Sequence, residues 1–135
     1  MRAVLDPNVL IAALLSSSGA PARIVQGWLA GEFELVVSEM LLAELERALG
    51  YPKLRRRVAA GDAAEFVTLL RHGATVADDP ASIRAVSADP GDDYLVALAE
   101  QERAILVSGD QHLLALVGRF PIRSPRVFFD QLAGE

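Results

Sequence analysis

Acidic residues open and close the segment from Asp92 to Asp110, and they are the residues of this chain best suited to do chemistry. Asp92 and Asp93 stand together before a short apolar stretch, and Asp110 comes just after the apolar run 104–107. A helix followed by a parallel strand brings the start of the helix and the carboxyl end of the strand to one edge of a sheet. Carboxylates placed together at such an edge could share a divalent metal ion.

Two further acids are expected at the same edge. Asp6 directly follows the first apolar run of the chain, and Glu44 lies in the helix predicted after the second strand. Clustered carboxylates repel one another, so they are stable together chiefly when cations neutralise them or when some are protonated. Oxygen ligands suit Mg²⁺ or Mn²⁺, and a water activated by such an ion can attack a phosphodiester in line. The pattern therefore indicates metal-dependent phosphoryl chemistry.

Each acid also has a purely structural interpretation. Asp6 and Asp110 are natural N-caps, and the doublet at 92–93 would be stabilised by the positive end of a helix dipole. Glu44 lies on one flank of an apolar helical stripe and Glu46 on the other, so helical spacing does not choose between them. Only the joint placement of the acids favours a site over separate caps.

Short apolar runs that alternate with helical patterns must position these acids. The runs at 3–5, 33–37, 74–76 and 104–107, with Ile122, predict strands, and the segments between them have helical spacing. Such alternation predicts a parallel sheet with helices on both faces. We expect a three-layer α/β/α domain over residues 1–135, with a central parallel sheet of about five short strands.

Capping and apolar spacing give more detail for two of the helices. Ser38 is expected to cap the helix that follows the second strand, because Ser favours the N-cap position. A later helix over 62–71 is expected to bury Phe66, Leu69 and Leu70.

Composition excludes several classes of protein. The chain has no cysteine, so it forms no disulfide, thiolate nucleophile or cysteine-ligated metal site. No apolar run approaches the roughly 18 residues of a membrane span, and no secretory signal follows Met1. We therefore expect a cytoplasmic protein without a membrane partner. Serine-hydrolase, P-loop and dinucleotide-binding motifs are also missing.

The charge pattern does not decide for or against a nucleic-acid partner. A formal net charge of −5 argues against one, because phosphate contacts need Lys and Arg. However, a dense basic segment contains Lys53, Arg55, Arg56 and Arg57. These side chains could contact an RNA backbone, although most such segments are solvated helix faces.

The residues around the acids carry a resemblance to a known family. Four sequence blocks occur in order along nearly the whole chain, and they are DPNV at 6–9, SEMLLAEL at 38–45, DDYLVALA at 92–99 and LVSGD at 106–110. In these blocks, and in Ser124-Pro125 followed by Phe128-Phe129, the chain resembles the PIN-domain family. It is most similar to the VapC-like toxins of toxin–antitoxin systems.

That resemblance implies a metal-dependent endoribonuclease with Mg²⁺ or Mn²⁺ as cofactor. The catalytic carboxylates would be Asp6, Glu44, Asp92 and Asp110. The family pattern selects Glu44 over Glu46 and Asp92 over Asp93, and it leaves Asp93 as a further metal ligand or a helix cap.

The resemblance also implies supporting polar roles for Asn8, Ser38 and Ser108. Asn8 would orient Asp6 or a metal-bound water. Ser108 stands where the family commonly has Thr, and Pro7 replaces the more usual Thr or Ser, so a hydroxyl role at that position is absent here.

The partners that the resemblance implies are an RNA substrate, a cognate antitoxin protein and a second copy of the chain. The apolar side chains of the helix 20–30 could form a homodimer interface, and core packing explains them equally well. Three alternatives stay open. They are a PIN-fold nuclease for RNA processing or DNA without an antitoxin, an inactive PIN module that acts through protein contacts, and a receiver-type phosphoacceptor domain. The last is the weakest, because the only Lys is Lys53 and none follows a late strand.

Overall fold

The central sheet of the computed structural model, which describes residues 1–134, contains five parallel strands. They are β1 (Arg2–Leu5), β2 (Glu34–Ser38), β3 (Thr75–Ala77), β4 (Ile105–Val107) and β5 (Ile122–Arg123). The strand order β3-β2-β1-β4-β5 places β1 in the middle, with Val4 paired to Leu106 of β4. The carboxyl end of the central strand therefore leads straight into Asp6.

Helices connect the strands and cover the sheet. They are α1 (Pro7–Leu15), α2 (Ala20–Leu29), α3 (Glu39–Leu49), α4 (Pro52–Arg55), α5 (Ala60–Gly73), α6 (Asp93–Glu102), α7 (Gln111–Leu114) and α8 (Pro125–Ala133). The chain moves one way along the sheet from β1 to β3 and the other way from β4 to β5. Right-handed crossovers consequently place α1 to α5 on one face and α6 and α7 on the other. The predicted α/β fold with a central parallel sheet of five strands is confirmed.

The apolar stripe of α5 shows why one core prediction was wrong. Ala63, Phe66, Val67 and Leu70 are buried, at the i, i+3, i+4, i+7 spacing of one helix face. Leu69 falls outside that stripe and is 41% exposed, so it does not pack inward as expected. Leu69 also has helical spacing with Phe66 and Leu70, which is why it was assigned to the core, but its angular position on the helix keeps it at the surface.

The apolar face of α2 packs against the core. Ile24, Val25 and Trp28 are buried, while Leu29 at the end of the helix is 58% exposed. α2 contacts α1 and α8, and Phe128 of α8 meets Phe33 edge to face at 5.2 Å between ring centroids. Core packing therefore accounts for three of the four apolar side chains that a dimer interface would have used.

Within residues 1–134, no single helix is long and apolar enough to cross a membrane. α1 and α2 pass the same test of length and composition only as a pair, and they are bent by 98° at the break between them.

Candidate active site

Asp6 is buried at the end of β1, and hydrogen bonds from α1 and from the residue that follows β4 hold its carboxylate. It is 3% exposed and caps α1, where its Oδ1 accepts a hydrogen bond of 2.9 Å from the backbone N–H of Asn8. Its Oδ2 accepts one of 2.8 Å from the Ser108 hydroxyl, which follows β4. Burial raises the pKa of Asp6, the two hydrogen bonds oppose this, and the charges of Glu44 and Asp110 raise it further. The net result is a raised pKa.

Ser108 connects two of the acids. Its buried hydroxyl donates to Asp6 and accepts a 3.0 Å hydrogen bond from the backbone N–H of Asp110. Asp110 in turn caps α7, because its Oδ1 accepts from the N–H of His112 at 2.7 Å. One hydroxyl thus fixes the geometry between the ends of β1 and β4.

Glu44 is held by Tyr94, a residue that sequence reasoning missed. The buried Tyr94 hydroxyl donates a hydrogen bond to Oε2 of Glu44, joining α6 to α3 across the sheet edge. Burial, the hydrogen bond to Glu44 and the nearby acids all raise the pKa of Tyr94, so the hydroxyl stays a donor at neutral pH. Glu46 instead lies 3.8 Å from Arg71 with its side chain largely exposed. Of the two, Glu44 is the one that lies near the other acids, since its charge acts on Asp6 and Asp92.

Asp92 is the acid with the freest carboxylate. It precedes α6, and its side chain makes no capping hydrogen bond. Burial raises its pKa, and the charges of Asp6, Asp110, Asp89 and Glu44 raise it further, to about 7. Each of those charges must lie close to act on Asp92. The structure therefore brings Asp6, Glu44, Asp92 and Asp110 to one edge of the sheet, where negative charge accumulates.

Asp93 faces away from this cluster. Its buried Oδ1 accepts hydrogen bonds of 2.9 Å and 2.8 Å from the backbone N–H and the hydroxyl of Ser87. Burial raises the pKa of Asp93, but the hydrogen bonds from Ser87 and from the backbone of Val86 outweigh it and leave the pKa lowered. Asp93 thus holds the loop that precedes α6.

The supporting serine and asparagine residues have separate tasks. Ser38 is fully buried and caps α3 by accepting a 3.3 Å hydrogen bond from the N–H of Leu41. Asn8 orients Asp6 through its backbone N–H, while its side chain is exposed. In the described part of the chain, neither the Ser38 nor the Asn8 side chain forms a hydrogen bond with an acidic side chain.

The basic segment lies on and just after α4. Lys53, Arg55, Arg56 and Arg57 are exposed, and within residues 1–134 none of them forms an ion pair. α3 begins at the edge that carries the acids and runs away from it. Lys53 therefore lies beyond the far end of the helix that contains Glu44.

The donor chemistry of the four acids fits a hard divalent cation. All of the donors are carboxylate oxygens, the ligands that Mg²⁺ and Mn²⁺ prefer. Burial and the negative charges of the other acids raise the pKa of Asp92, and a cation would neutralise those charges. Over residues 1–134, no three acidic or histidine side chains are already arranged to hold a metal ion.

Comparison with known proteins identifies the family. Residues 2–112 match the PIN domain family, and the chain therefore belongs to it. PIN domains are typically nucleases and generally use divalent metal ions.

Three proteins illustrate the relationship. The uncharacterized protein MJ1680 of Methanocaldococcus jannaschii is 25% identical over 116 residues, which cover 86% of this chain and 75% of that protein. The crystal structure of PAE2754 from Pyrobaculum aerophilum superposes with a TM-score of 0.69 at 18% identity, covering 100% of this chain and 91% of that one. VapBC2 from Rickettsia felis, crystallised with a DNA fragment from its promoter, gives a TM-score of 0.60 at 16% identity, covering 92% and 98%. At these identities the two structures show the fold alone.

Proposed function

We propose that this protein is a Mg²⁺- or Mn²⁺-dependent endoribonuclease that acts in the cytoplasm. In this proposal Asp6, Glu44, Asp92 and Asp110 hold the metal, and Asp93 serves as a structural residue. The observation that carries the proposal is the convergence of the four carboxylates at one edge of the sheet, where the Ser108 hydroxyl joins Asp6 to the backbone of Asp110 and Asp92 lies close enough for the other acids to act on it. A cluster of this kind is costly to the fold unless a cation or protons neutralise it.

The roles of the protein groups follow from their contacts. Asp6, Glu44, Asp92 and Asp110 would hold a divalent ion, which would supply an activated water and neutralise charge at the phosphate. Asp6 is the fixed point of the site, because Asn8 and Ser108 hold both of its oxygens. Tyr94 orients Glu44 through its hydroxyl. Asp92 has no capping hydrogen bond to break when a cation binds.

The decisive experiment is an RNA-cleavage assay with and without Mg²⁺ or Mn²⁺. Asp6→Asn and Asp92→Asn are expected to lower the rate by at least about 100-fold, because each removes a charged ligand. Products should carry 5′-phosphate and 3′-hydroxyl ends. Glu46→Gln is the matched control, a charge removal on the same helix that should leave cleavage unchanged. Metal-dependent cleavage that survives both Asp substitutions would refute the proposed site.

We further propose that the nuclease is the toxin of a toxin–antitoxin module and forms a homodimer. The support is the order of the four sequence blocks and the fold shared with VapBC2, whose crystal structure contains promoter DNA. A small DNA-binding protein encoded beside this gene should co-purify with the chain and stop cleavage. Light scattering after size-exclusion chromatography should give the mass of two chains. Cleavage without any such inhibitor in the neighbouring genes would favour an RNA-processing nuclease instead.

A further inference from the structure

A cavity of about 320 Å³ opens beside the carboxylate cluster. Asn8, Val9 and Ala12 of α1 form one side, and Pro21 and Pro125, from the first turns of α2 and α8, form another. Gly109 and Asp110 line the remaining side. Asp110 therefore belongs both to this cavity and to the acidic cluster, so the cavity adjoins the cluster.

The walls favour an uncharged, largely apolar ligand. Val9, Ala12 and the two prolines offer apolar surfaces, and none of the lining side chains is Lys or Arg. A phosphate or carboxylate placed here would find no cation and would be repelled by Asp110. The volume lies in the range of small-molecule clefts, which are mostly apolar with a few polar groups that fix orientation.

Asn8 provides the polar group that could fix such a ligand. Its backbone N–H is used by Asp6, but its exposed side-chain amide makes no hydrogen bond within residues 1–134. An amide both donates and accepts, which suits the edge of a nucleobase. Proteins that bind single-stranded RNA hold unstacked bases in this way, with the flat face against the protein and the edge hydrogen-bonded.

We propose that this cavity is the subsite for the nucleobase adjacent to the scissile phosphate. The inference rests on the proposed nuclease function and deepens it. In the proposed nuclease the scissile phosphate would lie at the acidic cluster only once a metal ion neutralises its charge, outside this cavity. The base of the same nucleotide would then fit the adjoining cavity, with its plane against the apolar walls and its edge at Asn8. The subsite thus selects an unstacked, single-stranded nucleotide rather than a duplex.

A cycle of protein and substrate changes tests this. First the cleavage site in an RNA oligonucleotide is mapped, and then oligonucleotides with an abasic residue on either side of it are made. Wild-type protein should lose about tenfold or more in kcat/KM on one of the two abasic substrates. Ala12→Leu, which fills the cavity, should show a similar loss on intact RNA and no further loss on that abasic substrate.

Controls separate the subsite from other effects. Ala64→Leu makes the same change on α5, at a cavity that shares no lining residue with this one, and it should leave the ratio of kcat/KM between intact and abasic RNA as in the wild type. Asn8→Ala leaves the backbone contact to Asp6 in place, and it serves as the second variant should Ala12→Leu fail to fold. Asn8→Ala should have a lower kcat/KM than the wild type on intact RNA and the same kcat/KM as the wild type on the abasic substrate.

Three results would overturn the inference. Multiplicative losses from the filled cavity and the abasic residue would refute the subsite and leave the nuclease proposal standing. An Ala12→Leu variant that cleaves RNA normally but escapes a co-purifying inhibitor would make the cavity a protein-docking site. No metal-dependent cleavage by the wild-type protein would refute the nuclease function and the subsite together.

Discussion

At the scale of single residues, Asp92 is the acid on which burial and the charges of its acidic neighbours act together. Its neighbours Asp6 and Asp110 are oriented by backbone N–H groups and Ser108, whereas Asp92 meets their charges without a capping hydrogen bond. Its pKa of about 7 means that folding places this carboxylate where its charged form is disfavoured. The group suited to bind a cation is therefore also one that destabilises the metal-free protein.

Replacing Asp92 by Asn should stabilise the metal-free protein at high pH. The pKa of Asp92 is about 7 in the folded state and near 3.8 otherwise, so the unfolded chain loses the proton first as the pH rises. Stability consequently falls between about pH 4 and pH 7, and the penalty is complete above that. In chelator at pH 8, we expect Asp92→Asn to melt about 3 °C higher, a modest shift because solvent screens this partly exposed group.

The pH series and a control complete this test. The difference in melting temperature should shrink as the pH falls below 7 and disappear below about pH 3, where Asp92 is protonated in both the folded and the unfolded state. Glu65→Gln removes an exposed charge on α5 and should give no such profile. A difference that is the same at pH 4 and pH 8 would mean that electrostatic repulsion is not its cause. Saturating Mn²⁺ should reverse the order by stabilising only the wild type.

Tyr94→Phe should separate the positioning of Glu44 from packing. The substitution keeps the ring and removes the hydroxyl that donates to Glu44. We expect Mn²⁺ affinity and RNA cleavage to fall about tenfold, the usual effect of losing a group that orients a ligand. Tyr51→Phe, which changes the only other tyrosine at an exposed position, should be neutral. A rise in metal affinity would show that Tyr94 competes with the cation for Glu44.

At the scale of secondary-structure elements, three of the four acids stand at boundaries. Asp6 lies between β1 and α1, Asp110 between β4 and α7, and Asp92 just before α6. Side chains at such boundaries project from the carboxyl edge of a parallel sheet, where ligands generally bind. Glu44 lies inside α3, and the hydrogen bond from Tyr94 gives it the orientation that an element boundary gives the others.

Removing the hydroxyl of Ser108 should loosen the junction of β4 and α7. Ser108→Ala leaves an oxygen of the buried Asp6 and the N–H of Asp110 without their partner. We expect a loss of about 2–3 kcal/mol in the free energy of unfolding, measured by denaturant titration. Ser108→Thr keeps the hydroxyl and should lose much less. Ser124→Ala, which removes the exposed cap of α8, should cost only about 1 kcal/mol. Equal losses from the two Ala variants would contradict the bridging role.

Local signals in the sequence predicted most of the elements. Ser38 predicted where α3 begins, because a capping residue acts within the first turn of its helix. The rule that parallel strands align their carboxyl ends placed the acids at one edge. Leu69 was misassigned because two apolar stripes with helical spacing are possible on α5, one with Val67 and one with Leu69, and the fold buries the one with Val67. Tyr94 was missed because its partner Glu44 is 50 residues away, and no local pattern encodes that contact.

At the scale of the whole molecule, charge is distributed unevenly between the acidic edge and the basic segment. The net charge of −5 repels RNA overall, so binding needs a local cationic surface to offset it. Residues 53–57 supply one, and they lie beyond the end of α3 that is distant from the acids. An RNA that contacts both must extend along α3.

Neutralising Arg55, Arg56 and Arg57 together should weaken RNA binding and flatten its dependence on salt. Each lost phosphate contact lowers the slope of log K against log salt by about 0.7 for a single strand. The slope is measured by fluorescence anisotropy of RNA binding at several salt concentrations, for the wild type and the triple Gln variant. A chelator is added to stop metal-dependent hydrolysis of the RNA. The control is a triple Gln variant at Arg84, Arg119 and Arg126, which removes the same charge elsewhere. Equal slopes for the two variants would exclude a specific role for the basic segment.

The central position of β1 has a consequence for synthesis of the chain on the ribosome. β1 pairs with β2 early, but its other neighbour, β4, is made about a hundred residues later, and the hydrogen bond from Ser108 to Asp6 spans 102 positions. Domains begin folding from the N-terminus during translation, and contacts this distant in sequence form late. A nascent chain that ends before Asp92 carries Asp6 and Glu44 without Asp92, Asp110 or Tyr94. The acidic edge is therefore completed only after Asp110 has been made, so the proposed nuclease activity would be absent from any shorter nascent chain.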